Sequence, residues 1–241
     1  MTKKPKKSTT FYGIIGNGET CALISPTGAV DWFCIPRFDS PFVFGRLVDF
    51  HSGFFEIKPC GQKSVNWQQK YQPDTAILET ECHNSDGAKL FTITDWMPWG
   101  KRALHRLITP SNTGVEVEIH ILPTFDYRRT AHTWSHRIEV LEGVSCERFI
   151  AETRDQSLRL FIPSSAIVPQ SQNIDAEGTD AGLGMRLRLC NPIVIILLYT
   201  DGSFRHQPDL DYKTSLERET AFWKNWLRVR PSSSCWKLIH A

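Results

Sequence analysis

The sequence carries almost no surplus of one charge. Twenty-eight Lys and Arg face 26 Asp and Glu over 241 residues, a net charge of +2. Gathering nucleic acid takes a larger imbalance, so no nucleic-acid partner is expected. Long apolar runs are also lacking. The longest, 193–199, falls far short of the ~20 residues that cross a bilayer, so no membrane partner is expected. The seven cysteines (21, 34, 60, 82, 146, 190 and 235) are odd in number and dispersed, without a C-x-x-C pair. This argues against a disulfide framework or a zinc ribbon and for reduced thiols in the cytoplasm. The basic start, residues 1–10, leads into Ser, Thr and a strand-like segment instead of an apolar signal region. It reads as a solvated, disordered basic tail. Gly16-Asn17-Gly18 is not followed by the strand, glycine-rich turn and helix of a phosphate loop, so it reads as a hairpin turn. His132 and His136 have a metal-like spacing only if helical, and Thr133-Trp134 between them favours a loop or strand. No cofactor and no metal are expected.

What the sequence has in quantity is alternation. Segments 76–81, 89–95, 115–122, 137–141, 158–162 and 183–189 each place apolar residues on one face of a strand. Turn signals separate them: Ser25-Pro26-Thr27-Gly28, Ser85-Asp86-Gly87, Ser111-Asn112-Thr113-Gly114 and Asp201-Gly202. Segment 193–199 does not alternate, which predicts a central strand covered on both sides. Together these predict a mainly β chain, an antiparallel two-sheet β-sandwich occupying residues 11–210. Residues 169–182, rich in polar residues and Gly, read as a long exposed loop. The period changes once: over 211–227 the residues Tyr212, Leu216, Trp223, Trp226 and Leu227 fall on one stripe of an amphipathic helix. So aromatic a face needs a partner.

Several residues could carry chemistry. Asp31, Trp32, Arg37 and Asp39 combine an aromatic plane with charged groups, the pairing used to grip a sugar ring and its hydroxyls. The blander reading makes Trp32 core, Asp39 and Ser40 turn caps, and Arg37 an ion-pair partner. Glu79 and Glu81 share a strand face, as paired acid and base carboxylates would, but an alternating polar face is more often solvated. Trp32, Trp96 and Trp99 are candidate sugar-stacking platforms, against the commoner use of Trp in packing.

The segment GNGETCALISPTGAVDWFCIPRFDSPFVFGRLVD, beginning at Gly16, resembles the start of glycoside hydrolase family 15, the glucoamylases and bacterial-type trehalases. Tyr71-Gln72-Pro73-Asp74-Thr75 with Leu78-Glu79-Thr80, Thr94-Asp95-Trp96-Met97-Pro98, Pro123-Thr124-Phe125-Asp126-Tyr127 and the 220–226 segment resemble later blocks of the same family, in order. The resemblance implies an N-terminal β-sandwich followed by a catalytic (α/α) barrel. Two barrel glutamates would act there as general acid and general base, with inversion. Residues 228–241 lose the family pattern, so the chain is expected to be truncated before the barrel and to have no catalytic residue of its own.

On this reading the chain is a non-catalytic N-terminal module of a glucoamylase-like or trehalase-like hydrolase, and 211–227 is the linker toward the barrel. Its expected partners are that barrel and, at the sugar site, an α-glucan or trehalose. Asp31, Trp32, Arg37 and Asp39 are the candidates for contact with substrate or barrel; Phe222, Trp223 and Trp226 are the candidates for the interdomain contact. The alternatives are a stand-alone carbohydrate-binding sandwich, a gene fragment without a role, and a hydrolase relying on Asp31 and Asp39.

Overall fold

The structure, a computed structural model, describes residues 11–62, 64–174, 177–202 and 207–229. The expected basic tail and most of the divergent tail lie outside them. The chain runs through β1 (Gly13–Gly16), β2 (Cys21–Ile24), β3 (Val30–Cys34), β4 (Phe42–Phe44), β5 (Phe54–Pro59) and β6 (Val65–Tyr71). Next come β7 (Leu78–Asn84), β8 (Lys89–Trp96), β9 (Ala103–Pro110), β10 (Val115–Leu122), β11 (His132–Leu141) and β12 (Val144–Glu152). The last elements are β13 (Ser157–Pro163), β14 (Asn173–Ile174), β15 (Glu177–Gly178), β16 (Leu183–Leu189), β17 (Ile193–Thr200) and the helix α1 (Tyr212–Val229).

These strands form two antiparallel sheets. The first, of eight strands, has the order β1-β2-β3-β5-β10-β16-β14, with β4 alongside β3. The second, of nine, runs β15-β11-β12-β13-β17-β9-β8-β7-β6. The alternation expected from sequence is realised in β16, whose residues are buried and exposed by turns, and its apolar set faces the space between the sheets. β17, which does not alternate, is buried at every position between β13 and β9. One of its faces joins the inter-sheet core, and the other joins a second cluster on the outer side of the sheet.

That second cluster is where the helix lies. Ile77, Trp96, Ala103, Leu107, Phe161, Val194, Ile196 and Leu198 form its buried floor, and Leu210, Tyr212 and Leu216 pack against it. The helix is therefore the lid on an outer face that would otherwise be wet and apolar.

Two sequence expectations need correction. Residues 169–182 are not simply an exposed loop: β14 pairs with β16 of the first sheet and β15 with β11 of the second. The segment bridges the sheets because Ala181 is buried and its carbonyl accepts from Trp134 Nε1 and His132 Nε2. The strand expected over 76–81 begins at Leu78, because the 72–77 segment is a turn in which Gln72 N–H donates to Ile77 O and Asp74 has φ 57°.

A charged pair sits in the middle of the apolar core. Asp95 on β8 stands opposite Arg106 on β9, and both side chains are 0% exposed. Arg106 Nε donates to Asp95 at 2.8 Å and Nη2 to the same carboxylate at 3.2 Å. The guanidinium also crosses the sandwich, donating to the carbonyls of Gly28 and Phe55 in the first sheet and lying over the Phe55 ring at 4.7 Å. Gly28 takes this position with φ +76°, where a side chain would strain the backbone and its Cβ would crowd Ile93 and Thr80. Removing one partner leaves an uncompensated buried charge. Arg106→Met and Asp95→Asn are each expected to lower stability by about 3–5 kcal/mol in urea denaturation, with a large coupling energy in the double-mutant cycle.

Candidate functional site

The segment holding Asp31, Trp32, Arg37 and Asp39 divides into a buried half and an exposed half. Asp31, on β3, is buried and accepts from Tyr12 Oη at 3.0 Å and from Arg46 Nε at 2.8 Å. Arg46 in turn reaches Glu56 at 3.0 Å, Glu56 pairs with Lys58 at 2.6 Å, and the Arg46 guanidinium lies 4.3 Å from the Phe54 ring centroid. Desolvation pushes Glu56 upward, but its bonds to Lys58 and Arg46 outweigh that and hold it below the usual carboxylate range. Asp31 thus stands at the head of a chain of alternating charges that fixes the 45–53 loop to the sheet. Trp32 is half-buried against Phe42, with ring centroids 5.4 Å apart.

Arg37 and Asp39 point into solvent, with side chains 72% and 74% exposed, and pair with each other at 3.0 Å. Their turn is closed by Ser40, whose N–H donates to Arg37 O and whose Oγ accepts from Arg37 N–H. Phe38 between them is exposed, and its N–H donates to Glu19 O. Gly18, Glu19, Pro36, Arg37, Phe38, Asp39 and Arg102 line an open cleft of about 500 Å3.

The β1–β2 turn forms one wall of that cleft and connects it to the helix. Asn17 accepts from Glu19 N–H and Thr20 N–H through its side-chain oxygen and donates to Lys101 O. Gly18 has φ +85°, and a Cβ there would stand 2.6 Å from the Trp99 ring. The outer edge of the indole therefore closes on the turn, and glycine is required for that approach. Trp99 also stacks on Phe222 at 4.5 Å and 29°. Phe222 meets Trp223 edge-on at 5.4 Å, and Trp223 meets Trp226 at 5.6 Å. Phe222, Trp223 and Trp226, in the last turns of the helix, thus continue from Trp99 as a single ledge on the side of the exposed 36–40 turn.

Polar residues seat the helix under this ledge, and sequence reasoning missed them. Ser215 Oγ accepts from Trp96 Nε1 at 3.4 Å. Glu219 is buried and accepts from Trp99 N–H at 3.1 Å and from Trp223 Nε1 at 2.7 Å. The sandwich-facing line is therefore Tyr212, Ser215, Leu216, Glu219 and Phe222, rotated from the purely apolar stripe. The i, i+3, i+4, i+7 spacing was a signal for both residues, masked by their polarity. Trp96 cannot be a sugar platform: it is 0% exposed, beneath the helix and against His105. Trp99 keeps about half its surface exposed, but its ring is held between Gly18 and Phe222.

The remaining candidates have ordinary partners. Glu79 and Glu81 lie beside Lys70, and Glu81 also reaches Lys89. His132 is buried on β11 with Phe125 against its ring, and His136 contacts Glu147. No group of three or more metal-ligating side chains occurs among the described residues. No helix among them is long and apolar enough to cross a membrane.

Burial raises the Glu219 carboxyl above its ordinary range, against the lowering effect of its bonds from Trp99 and Trp223. A carboxylate raised in the folded state binds protons more tightly there than in the unfolded chain. Stability therefore falls as pH rises from the unfolded pKa through the folded one. Glu219→Gln is expected to flatten that slope in thermal melts recorded from pH 4 to pH 8. An unchanged slope would place the titration elsewhere.

A family model described as trehalase-like, N-terminal, matches residues 7–144. The trehalase of Mycobacterium tuberculosis is 26% identical over 249 residues, covering 94% of this chain and 35% of its own length. Trehalase 1 of Sulfolobus acidocaldarius is 38% identical over 115 residues, covering 48% of this chain and 19% of its own length. A crystal structure of bacterial glucoamylase complexed with acarbose shares the fold, with a TM-score of 0.58 at 8% identity, over 92% of this chain and 39% of that one. The chain thus spans about a third of the length of the mycobacterial relative it matches.

Proposed function

The chain belongs to the trehalase-like N-terminal family, and we propose that it is the non-catalytic module that seats the catalytic domain of an α-glucoside hydrolase. The observation that carries this reading is the ledge of Trp99, Phe222, Trp223 and Trp226 where α1 leaves the sandwich. A helix with one face locked onto a rigid sheet and a run of half-buried aromatic rings near its end is suited to fix the orientation of a domain that follows it. On this reading residues 11–210 are the sandwich module and 211–227 lead toward an (α/α) barrel. The barrel would supply the acid and base glutamates of glycoside hydrolysis.

The 36–40 turn is assigned to the rim of the same interface, where Phe38 between Arg37 and Asp39 faces the barrel or the sugar held by it. Asp31 acts at a distance, holding β3 and the 45–53 loop in place through Arg46. Trehalose is the substrate favoured for the whole enzyme, because the relatives that match are trehalases. The carboxylates singled out in this module, Asp31, Asp39, Glu79 and Glu81, each have a Lys or Arg partner, which leaves them poorly placed for acid and base work. A reducing, cytoplasmic setting is part of this reading, supported by the dispersed, unpaired cysteines among the described residues.

Co-expression with a trehalase relative stripped of its own N-terminal third tests this reading. The expected result is a soluble complex that hydrolyses trehalose, lost in the double variant Phe222→Ser, Trp226→Asp. The chain alone is expected to release no glucose and to show no binding of trehalose or malto-oligosaccharide by calorimetry. Hydrolysis by the isolated chain, tight sugar binding, or a complex indifferent to the two substitutions would reject it.

A further inference from the structure

The β11–β12 hairpin leaves apolar side chains in water. Ile138 is 65% exposed, Val140 72% and Val144 42%. By strand alternation Ile138 and Val140 share a face with Trp134 and His136. Trp134 packs on the inter-sheet core and His136 stacks on Phe149 at 4.5 Å. Past His136 the same face continues into solvent.

The strand is also an open edge. β15 pairs with β11 only at His132 and Thr133, so among the described residues 134–141 have a strand on one side only. Edge strands present unpaired main-chain groups, and proteins blunt them with bulges, prolines or charged side chains; of these β11 has only the charges, Arg137 and Glu139. Here the β11–β12 register is unbroken from Thr133↔Glu152 to Leu141↔Val144, and the strand contains no proline.

The third observation is a charge imbalance. Arg137 stands directly opposite Arg148 in the ladder, a like-charge pair that disfavours the isolated hairpin. Glu139 is engaged by Arg148 at 2.7 Å. A second carboxylate beside Arg137 would relieve that face.

We propose that β11 pairs with β11 of a second copy of this chain, antiparallel about a two-fold axis at Ile138, joining the two nine-stranded sheets into one. This register sets Arg137 against the partner's Glu139 on one face. On the other face it sets Ile138 against the partner's Ile138 and His136 against the partner's Val140. Moving the axis one residue either way puts Arg137 against the partner's Arg137, or Glu139 against the partner's Glu139, so charge selects the register. Main-chain bonds supply the adhesion, as in other strand additions, and Ile138 and Val140 leave water.

Sedimentation velocity of the full chain across the micromolar range tests this independently of the domain-seating reading. The expected mass rises with concentration from 27.6 kDa toward twice that value. Ile138→Lys and Arg137→Glu are expected to hold the chain monomeric with an unchanged circular dichroism spectrum. Combining Arg137→Glu with Glu139→Arg is expected to restore the dimer. A monomer at every concentration overturns the proposal, as does a dimer that survives Ile138→Lys. A dimer lost only in Trp226→Asp would assign association to the helix end and overturn it equally.

Discussion

A single buried ion pair holds the two halves of this molecule in register. Arg106 sits where the core would otherwise be apolar, bonded to Asp95 on the neighbouring strand and to the carbonyls of Gly28 and Phe55 across the sandwich. Burial pushes the Asp95 carboxyl upward and Arg106 pulls it back, so each charge is tolerable only because the other is in place. The hydrophobic driving force is non-directional; the bonds from one guanidinium are directional and add to what close packing already specifies. The pair adds a specific alignment to a core whose cohesion comes from Phe33, Phe44, Phe55, Phe91 and their aliphatic neighbours.

Strand alternation passes that alignment outward. Asp95 faces in, so the next residue, Trp96, faces out, and there it forms part of the floor beneath α1 and donates to Ser215. Three residues further, Trp99 lies over Gly18 and stacks on Phe222. One short block of sequence therefore locks the sheets, seats the helix and forms the first ring of the aromatic ledge. Asp31 works in a similar way on the other sheet, where its bond to Arg46 ties the 45–53 loop to β3 and so supports the neighbouring turn. In both places a buried carboxylate is committed to the scaffold through an arginine.

The strands and turns were legible because a half-buried strand imposes its period of two on the chain and a left-handed turn demands glycine. The doubly buried β17 was legible through the absence of that period, and the helix through its change to 3.6. The site was legible only in part. Phe222, Trp223 and Trp226 announced an aromatic face, but the polar seats Ser215 and Glu219 looked like solvent-facing residues, because the sequence does not reveal that Trp96 and Trp99 offer them donors. Trp96 and Trp99 look equivalent in the sequence, yet the first is sealed beneath a helix that begins more than a hundred residues later.

By itself, the sequence determined the alternating strands, the positions of the turns and the amphipathic helix, which depend on neighbours a few residues apart, and the family resemblance, which depends on short blocks in a fixed order. Only the tertiary structure decided which sheet face the helix covers, that Arg106 spans the core to Gly28 and Phe55, and that the β1–β2 turn lies between the 36–40 loop and the ledge. It also decided that, among the described residues, most of the outer edge of β11 has no strand beside it. Those outcomes depend on which distant surfaces meet, and the burial of a side chain is a property of the meeting rather than of the residue.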